Sequence, residues 1–486
     1  MTNTELLLII PEIIIVAVAA TILLVSAFSS HNNRWLILII AISGNLAAAA
    51  YSLQYLNIEP TPIFSGQLTI DGFTVFFRFV FLLVSVGALL LAVDQLEKIP
   101  FGEFTSMVLL SSVGMMLLVG ATDLIMIFIA IELMAIPIYV LTAFTRYRSI
   151  STEAAIKYFT LGAFATAILA YGLAWTYGLT GQTGLRSIAE ELPAAAEPMG
   201  VQVLLALGLV LVGVAFKIAV VPFHVWSPDA YDGAPTPVSA FMSVGPKIAA
   251  MAILVRLVGM AFEPLLSNIE VLLYVLAAIS IIAGNIWAVQ QKNIKRMLAY
   301  SSIAHSGYML AGIAAATATE STNRPFHTLL YYAVAYALMN TGAFAVVFAV
   351  ERRTDSVQLD ALRGLIQTSW MPALMMGVCM LSLMGMPPFA GFFGKLFIIQ
   401  TLISAELTWL AIVLVLGSVV SAYYYLRVVV YMFMRDPNPG VQAVPFRIPD
   451  SLASVIFAAG IGSLGIGIFS NWLLRIAQDS VFLAGL

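Results

Sequence analysis

An all-α integral membrane bundle of about fourteen transmembrane helices is the fold this sequence predicts, and three observations predict it. Of 486 residues, 61% are hydrophobic and only 10% charged, against roughly a quarter charged in a soluble domain. Apolar runs recur along the whole chain at the length of about 18 residues or more that a helix needs to cross a bilayer core. Glu132, Lys217, Lys247 and Lys395 interrupt those runs. A charge near the bilayer centre costs about 2.5–3.5 kcal/mol on insertion scales, so four of them point to a route for charge through the membrane.

The spans are expected at approximately 5–28, 34–56, 72–93, 101–121, 122–143, 153–180, 201–222, 234–262, 268–289, 294–316, 327–349, 371–403, 406–434 and 451–474. The first has no basic residue before it and no small-residue cleavage site after it, so it reads as a helix rather than a removable signal peptide. Glu12 within it has no evident partner, and contact with a neighbouring subunit would account for it. Only Gly120-Ala121-Thr122-Asp123 separates the fourth and fifth spans, a tight turn with Asp123 as the expected helix N-cap. The stretch Lys217–Met242 carries Pro222, Pro228, Pro235, Pro237, Asp229 and Asp232. Proline cannot continue a helix, so the seventh span must break or end near Pro222. Met384–Lys395, with Gly385, Pro387, Pro388, Gly391 and Gly394, predicts a second break in the twelfth span.

Non-helical backbone at membrane depth survives only where protein buries it or water lines it. Paired Gly/Pro-interrupted spans mark the ion or substrate site of inverted-repeat transporters. Lys217 and Lys395 lie beside the two breaks, one at each. The step along the chain from Lys217 to Lys395 also carries Lys247 to Tyr425 and Glu132 to Leu310, close to His305. This spacing predicts two five-helix repeats, spans 4–8 and 9–13, inserted with opposite topology because five is odd. The expected division is one transmembrane domain: 1–100 an N-terminal three-helix segment, 101–262 the first repeat, 268–434 the second, and 451–486 a C-terminal helix. No linker marks a soluble domain.

Orientation follows from the basic residues. Loops after odd-numbered spans hold Arg34, Lys98, Arg146, Arg148, Lys157, Lys292, Lys295, Arg296, Arg352, Arg353, Arg363, Arg435 and Arg447; those after even-numbered spans hold Arg186 and Arg324. Odd loops therefore face the cytoplasm and both termini lie outside. The net charge of −3 is too small and dispersed for a nucleic-acid partner. The single cysteine, Cys379, lies in an apolar run, so it reads as a buried packing thiol with no intrachain disulfide. There is no CxxC, HExxH, P-loop or strand-borne GxGxxG. Four histidines and one cysteine, scattered along the chain, do not assemble haem or iron–sulfur ligation. No cofactor or metal is expected in this chain.

Three segments carry a resemblance: PFHVWSPDAYDGAPTPVSAFMS (Pro222–Ser243), KNIKRMLAYSSIAHSGYML (Lys292–Leu310) and IAIELMAIPIYVLTAF around Glu132. They resemble the antiporter-like membrane subunits of respiratory complex I, the NADH:quinone oxidoreductase, over about Phe101 to Met434. The PDAYDGAP form with Tyr231, lysine at 395 and a chain that stops soon after the fourteenth span are similar to the N branch of that family. The resemblance implies a bacterial inner-membrane subunit that translocates protons without a redox centre of its own. It also implies partners: the other membrane subunits, the surrounding lipid bilayer and, through those subunits, a peripheral redox arm that uses NADH and quinone. By residue, it implies that Glu132 and Lys217 form an input pair, that Lys247 links two half-channels, and that Lys395 lies nearest the exit. His224 and His305 fall at polar connecting positions.

The chemistry fits those roles. Desolvation favours the neutral form of a buried amine and a nearby carboxylate favours the charged form, so a lysine whose partner comes and goes can take and give a proton. Two like charges about 7 Å apart repel by roughly 2.4 kcal/mol at an effective dielectric near 20, so one protonation lowers the proton affinity of the next site. Plainer readings stand beside these. Glu132 and Lys217 suit a static ion pair, Lys247 a cap on a broken helix end, and Lys395 a side chain snorkelling towards the surface. His224 and His305 suit partners for freed carbonyls, and Tyr423–Tyr425 suit packing, with a relay role for Tyr424 or Tyr425 as the alternative. Two other functions use similar features: a subunit of a Mrp-type cation/proton antiporter or membrane-bound hydrogenase, distinguished by sodium dependence, and a transporter of an organic substrate. The second needs varied hydrogen-bonding groups at the breaks, where this chain has mainly lysine, glutamate and small apolar residues.

Overall fold

Burial grades from the rim of the bundle to its middle. Spans 1 and 9, Ile10–Phe28 and Leu266–Gln290, keep broad apolar faces turned outward, whereas span 8, Thr236–Arg256, is buried along its whole length. A helix apolar all round belongs in a protein core or in lipid, and this chain uses both. The computed structural model describes residues 3–28, 33–94, 100–319, 324–437 and 448–481. His31 and the basic residues Lys98 and Arg447 lie outside the described residues.

Among those residues, 12 helices are long and apolar enough to cross a membrane. Span 10, Ile294–Ala318, adds a less apolar helix of 25 residues. Span 12 is two helices of 15 residues, Trp370–Met384 and Ala390–Ser404. The expected all-α membrane fold is thus found. Span 7, Leu185–Ile218, starts earlier than its hydropathy indicates and kinks at Met199, between Pro198 and Gly200. A short hairpin pairs Thr61–Ile63 with Leu68–Ile70 before span 3.

Capping fixes where the central helices begin. Asp123 starts span 5, Leu124–Thr142, by accepting from the Ile125 and Met126 amides, as its position predicts. Asn293 does the same for span 10 through the Lys295 and Arg296 amides. Each of these turns is also bridged to the loop two spans later. Leu124 and Leu185 amides exchange hydrogen bonds with the Thr183 and Thr122 carbonyls, while Ile294 and Leu359 amides do so with the Val357 and Lys292 carbonyls. The turn at Asn293 is therefore the second-half counterpart of the turn at Asp123. Five crossings separate them, which puts them at opposite ends of the bundle.

Both breaks are present and are built alike. Span 7 ends with Ala219 in the left-handed region (φ 60°) and the first helix of span 12, Trp370–Met384, with Gly385 (φ 90°). In each, the next amide reaches back to a carbonyl five residues earlier, Val220 to Ala215 and Met386 to Leu381, which is a Schellman close. Pro222-Phe223 and Pro388-Phe389 follow. The step from Pro222 to Pro388 is shorter than the step from Lys217 to Lys395. This corrects the spacing inferred from the lysines: Lys217 precedes its break and Lys395 follows its own, so they are not equivalent positions. Gly391 lets the two halves of span 12 close together, since a Cβ there would lie 1.9 Å from the Ser382 carbonyl oxygen.

Buried and interfacial charge holds the frame. Glu12 needs no neighbouring subunit: Arg78 of span 3, Gly72–Ala92, donates to both of its oxygens at 2.8 and 3.0 Å and to the Leu8 carbonyl. After the first break, the short helix Trp226–Gly233 is tied to spans 6 and 10 by Asp229, which accepts from Lys157 (3.1 Å) and Arg296 (2.7 Å). Partial burial pushes the Asp229 carboxyl up, but those two cations outweigh it and hold the group below its ordinary range. Cys379 is a buried free thiol.

Candidate functional site

The freed backbone at the breaks dictates what must gather there, since buried carbonyls without partners are costly. In the first half the Trp226 indole donates to the Phe216 carbonyl at 3.0 Å, and the Ser306 hydroxyl donates to that of Ile218 at 2.9 Å. In the second half the partner is Lys395, whose Nζ donates to the Leu383 and Met384 carbonyls at 3.1 and 3.0 Å. Lys395 is 4% exposed and lies over the Tyr308 ring, 4.7 Å from its centroid. It does not snorkel; it seats on the negative end of a half-helix.

Lys217, at the last turn of span 7, is also 4% exposed. Its Nζ stands 3.9 Å from Glu132 Oε1 and donates to the Tyr139 hydroxyl at 3.1 Å. Glu132 and Tyr139 share span 5 at i and i+7, one face of the helix. Glu132 is a quarter exposed and accepts from Thr166 of span 6, Ser149–Thr180, at 2.9 Å. Tyr139 meets Tyr158 edge-on with ring centroids 4.7 Å apart. Its hydroxyl fills a notch left by Gly162, where a Cβ would come within 2.2 Å of it. The amine therefore has two seats side by side, one anionic and one neutral.

Lys247 lies mid-way along span 8 with no exposure. It caps no helix end: its Nζ donates to the Ser302 hydroxyl, and the Tyr231 ring lies 5.6 Å away. Ser302 belongs to span 10, and this helix joins the two halves. One of its stripes, Ser302 and Ser306, faces Lys247 and the Ile218 carbonyl. The next stripe, Ser301, His305 and Tyr308, faces the second half. His305 Nδ1 pairs with the Tyr332 hydroxyl at 2.7 Å and Nε2 with that of Tyr425 at 3.0 Å. Tyr425 also bonds Ser301, and Tyr308 accepts from Asn285 at 3.1 Å.

The structure thus brings together Glu132 with Lys217, Lys247 with the Ser302 stripe, and Lys395 and His305 with the tyrosines of spans 10, 11 and 13. His224 stands apart. Its ring stacks on Trp287 with centroids 4.8 Å apart, and its Nδ1 is buried without a hydrogen-bond partner. Sequence reasoning missed Tyr139, Tyr308, Tyr332, Ser301 and Ser302, and read Tyr425 first as packing, with a relay role as the alternative. A signal for three of them was present in the run Tyr300-Ser301-Ser302-Ile303-Ala304-His305-Ser306-Gly307-Tyr308, where hydroxyls recur on a helix that has no surface to wet. Such a file of groups that both accept and donate hydrogen bonds can carry a proton between fixed amines. No group of three or more His, Cys, Asp or Glu side chains suited to a metal occurs among the described residues.

The profile of the family described as NADH:quinone oxidoreductase/Mrp antiporter, TM, matches residues 121–421. An NADH-quinone oxidoreductase subunit N from Trichlorobacter lovleyi is 43% identical over 422 residues, 86% of this chain and 85% of that protein. One from Myxococcus xanthus is 41% identical over 469 residues, 90% of each. The solved respiratory complex I from Thermus thermophilus contains a chain of TM-score 0.79 and 33% identity, matched over 96% of this chain and 99% of that one. A chain of the Mrp complex from Dietzia superposes with TM-score 0.85 over 99% and 97% at 22% identity, a likeness of fold.

Proposed function

We propose that this chain, which belongs to the NADH:quinone oxidoreductase/Mrp antiporter membrane family and whose curated relatives are N subunits, is the proton-translocating, antiporter-like subunit N of an NADH:quinone oxidoreductase. It is catalytic only as part of that translocase: NADH and quinone react in partner subunits, and this chain moves protons. The observation that carries the reading is the line of buried charge, Glu132 beside Lys217, then Lys247, then Lys395, joined through the hydroxyl stripes of span 10. A proton enters at the Glu132–Lys217 pair, crosses to Lys247, passes the His305 group and leaves past Lys395, with water bridging gaps that the side chains do not span. His224 lines the first break and plays a lesser part.

The working unit is one transmembrane domain in the plasma membrane of a bacterium. It comprises residues 1–100, a first repeat 101–262, a second repeat 268–434 and a C-terminal segment 451–486, with both termini on the outer side. Its neighbours are the other membrane subunits, which link it to the peripheral redox arm, and the lipid around them. A role in a Mrp-type antiporter or a membrane-bound hydrogenase predicts activity that depends on sodium or on a different electron donor. The experiment that tests the reading is proton pumping by the assembled complex in vesicles, wild type against Lys217→Ala, with redox turnover followed in the same membranes. Loss of pumping and of coupled quinone reduction in an assembled complex is expected. Wild-type levels of both would make the Glu132–Lys217 pair structural.

A further inference from the structure

A route that crosses the membrane through two halves must be closed at one end of each half, or protons run back through it. We propose that Arg256 and Arg427 are a matched pair of end seals, each closing the half that contains it on the side from which protons must not pass. The inference rests on the proton-translocation reading above.

The two arginines occupy equivalent places. Arg256 is the last residue of span 8 and donates through Nε to the Val119 carbonyl at the end of span 4, Phe101–Gly120. Arg427 lies near the end of span 13, Thr408–Met434, and donates to the Val289 and Gln291 carbonyls at the end of span 9, at 3.1 and 2.6 Å. The step from Val119 to Val289 equals the step from Asp123 to Asn293, and the step from Arg256 to Arg427 differs from it by a single position. The two contacts therefore lie at opposite ends of the bundle.

Each sits one step beyond the proton file. Arg256 follows Lys247 by nine residues on the same helix, roughly 13 Å along the axis. It is 1% exposed, and its Nη2 holds both Asp71 oxygens and the Thr74 hydroxyl at 2.9 Å. A cavity of about 300 Å³ lies on the loop side; Thr122, Arg186, Asp71 and Arg256 are among its lining residues, and no residue of span 8 deeper than Arg256 lines it. Arg427 follows Tyr424 and Tyr425 by three and two residues. Its Nε is buried without a partner, and no carboxylate of the described residues lies within ion-pair distance of it.

The chemistry of the guanidinium makes it a stop. A link in a proton file must accept a proton on one side and release one on the other. Arginine is donor-only and keeps its proton in proteins, so a file that ends on it ends there. Its fixed charge also repels an approaching hydronium, as arginine does at the narrow point of water-selective pores. At the first seal the carboxylate, Asp71, already accepts four hydrogen bonds, two from the Arg256 Nη2 and two from the Thr74 amide and hydroxyl.

The test is passive proton leak in liposomes containing the assembled complex, with a pH-sensitive dye inside, a potassium diffusion potential imposed by valinomycin, and no NADH. Arg427→Gln replaces a pure donor by a side chain that both accepts and donates, and it is expected to raise the leak at least about tenfold. Arg427→Lys keeps the charge but carries an amine that can release its proton when buried, so its leak is expected to lie between wild type and Arg427→Gln. On adding NADH and quinone, Arg427→Gln continues to oxidise NADH while the steady gradient collapses. An Arg427→Gln complex as tight as wild type overturns the proposal. If that variant does not assemble, the double variant Arg256→Gln, Asp71→Asn removes both charges of the other seal together and carries the same expectation and the same power to refute. Tight arginine variants alongside a Lys217→Ala complex that does not pump reject the seals alone. A Lys217→Ala complex that pumps normally makes the Glu132–Lys217 pair structural and rejects the route on which the seals rest.

Discussion

Tyr139→Phe removes one oxygen from the bundle and leaves its packing in place. The ring stays between Tyr158 and Phe159, Gly162 still leaves it room, and Glu132 still faces Lys217 at 3.9 Å. Lys217 loses its acceptor at 3.1 Å. A hydrogen bond to a charged group is worth about 1.5–3 kcal/mol net, so the balance between the two seats shifts towards Glu132 by roughly ten- to a hundredfold. If the lysine must leave the carboxylate to pass its proton inward, the rate of that step falls by a similar factor. The assay is quinone reduction and proton pumping in inverted vesicles, with assembly followed by native gel. Both rates should drop together at unchanged assembly, and Gly162→Ala, which crowds the same hydroxyl, should act in the same direction. Wild-type turnover and pumping in Tyr139→Phe would refute the two-seat reasoning and leave Tyr139 as packing.

Two further outcomes follow from the same geometry. Breaking the buried Glu12–Arg78 pair by Glu12→Gln should destabilise the subunit by about 3–5 kcal/mol, whereas replacing both residues with methionine should be close to neutral; thermal melting of the detergent-solubilised complex measures the difference. Gly385→Ala puts a Cβ at φ 90°, 3.0 Å from the Lys395 Cδ, with a backbone cost of about 1–2 kcal/mol. It should slow pumping by displacing the Lys395 amine from its carbonyls, and an undiminished rate would show that this seat is dispensable.

Much of the bundle was legible because the bilayer permits few solutions. Apolar run length set the spans, proline and glycine chemistry set both breaks, and Asp123 announced its own helix start. The lysines were legible for the same reason: a charge inside an apolar run has no surface to reach. What was not legible came from neighbours distant in sequence. Glu12 looked orphaned because its partner is Arg78, one span beyond its nearest neighbour, and spacing alone does not say which span faces which. The step from Lys217 to Lys395 misled because it joined two lysines of like chemistry, while the backbone equivalence runs through Val220 and Met386.

The sequence by itself determined that this chain is a helical membrane bundle, where its helices break and which charges lie at depth, because hydrocarbon tolerates no unsatisfied backbone and few ions. The tertiary structure alone decided which groups touch. It seated Lys217 between a carboxylate and a hydroxyl, made span 10 the connector through two adjacent stripes, and set Lys395 on the carbonyls of the half-helix before it. Those contacts depend on helix rotation and crossing, which are fixed by packing among residues far apart in the chain, and no local pattern encodes them.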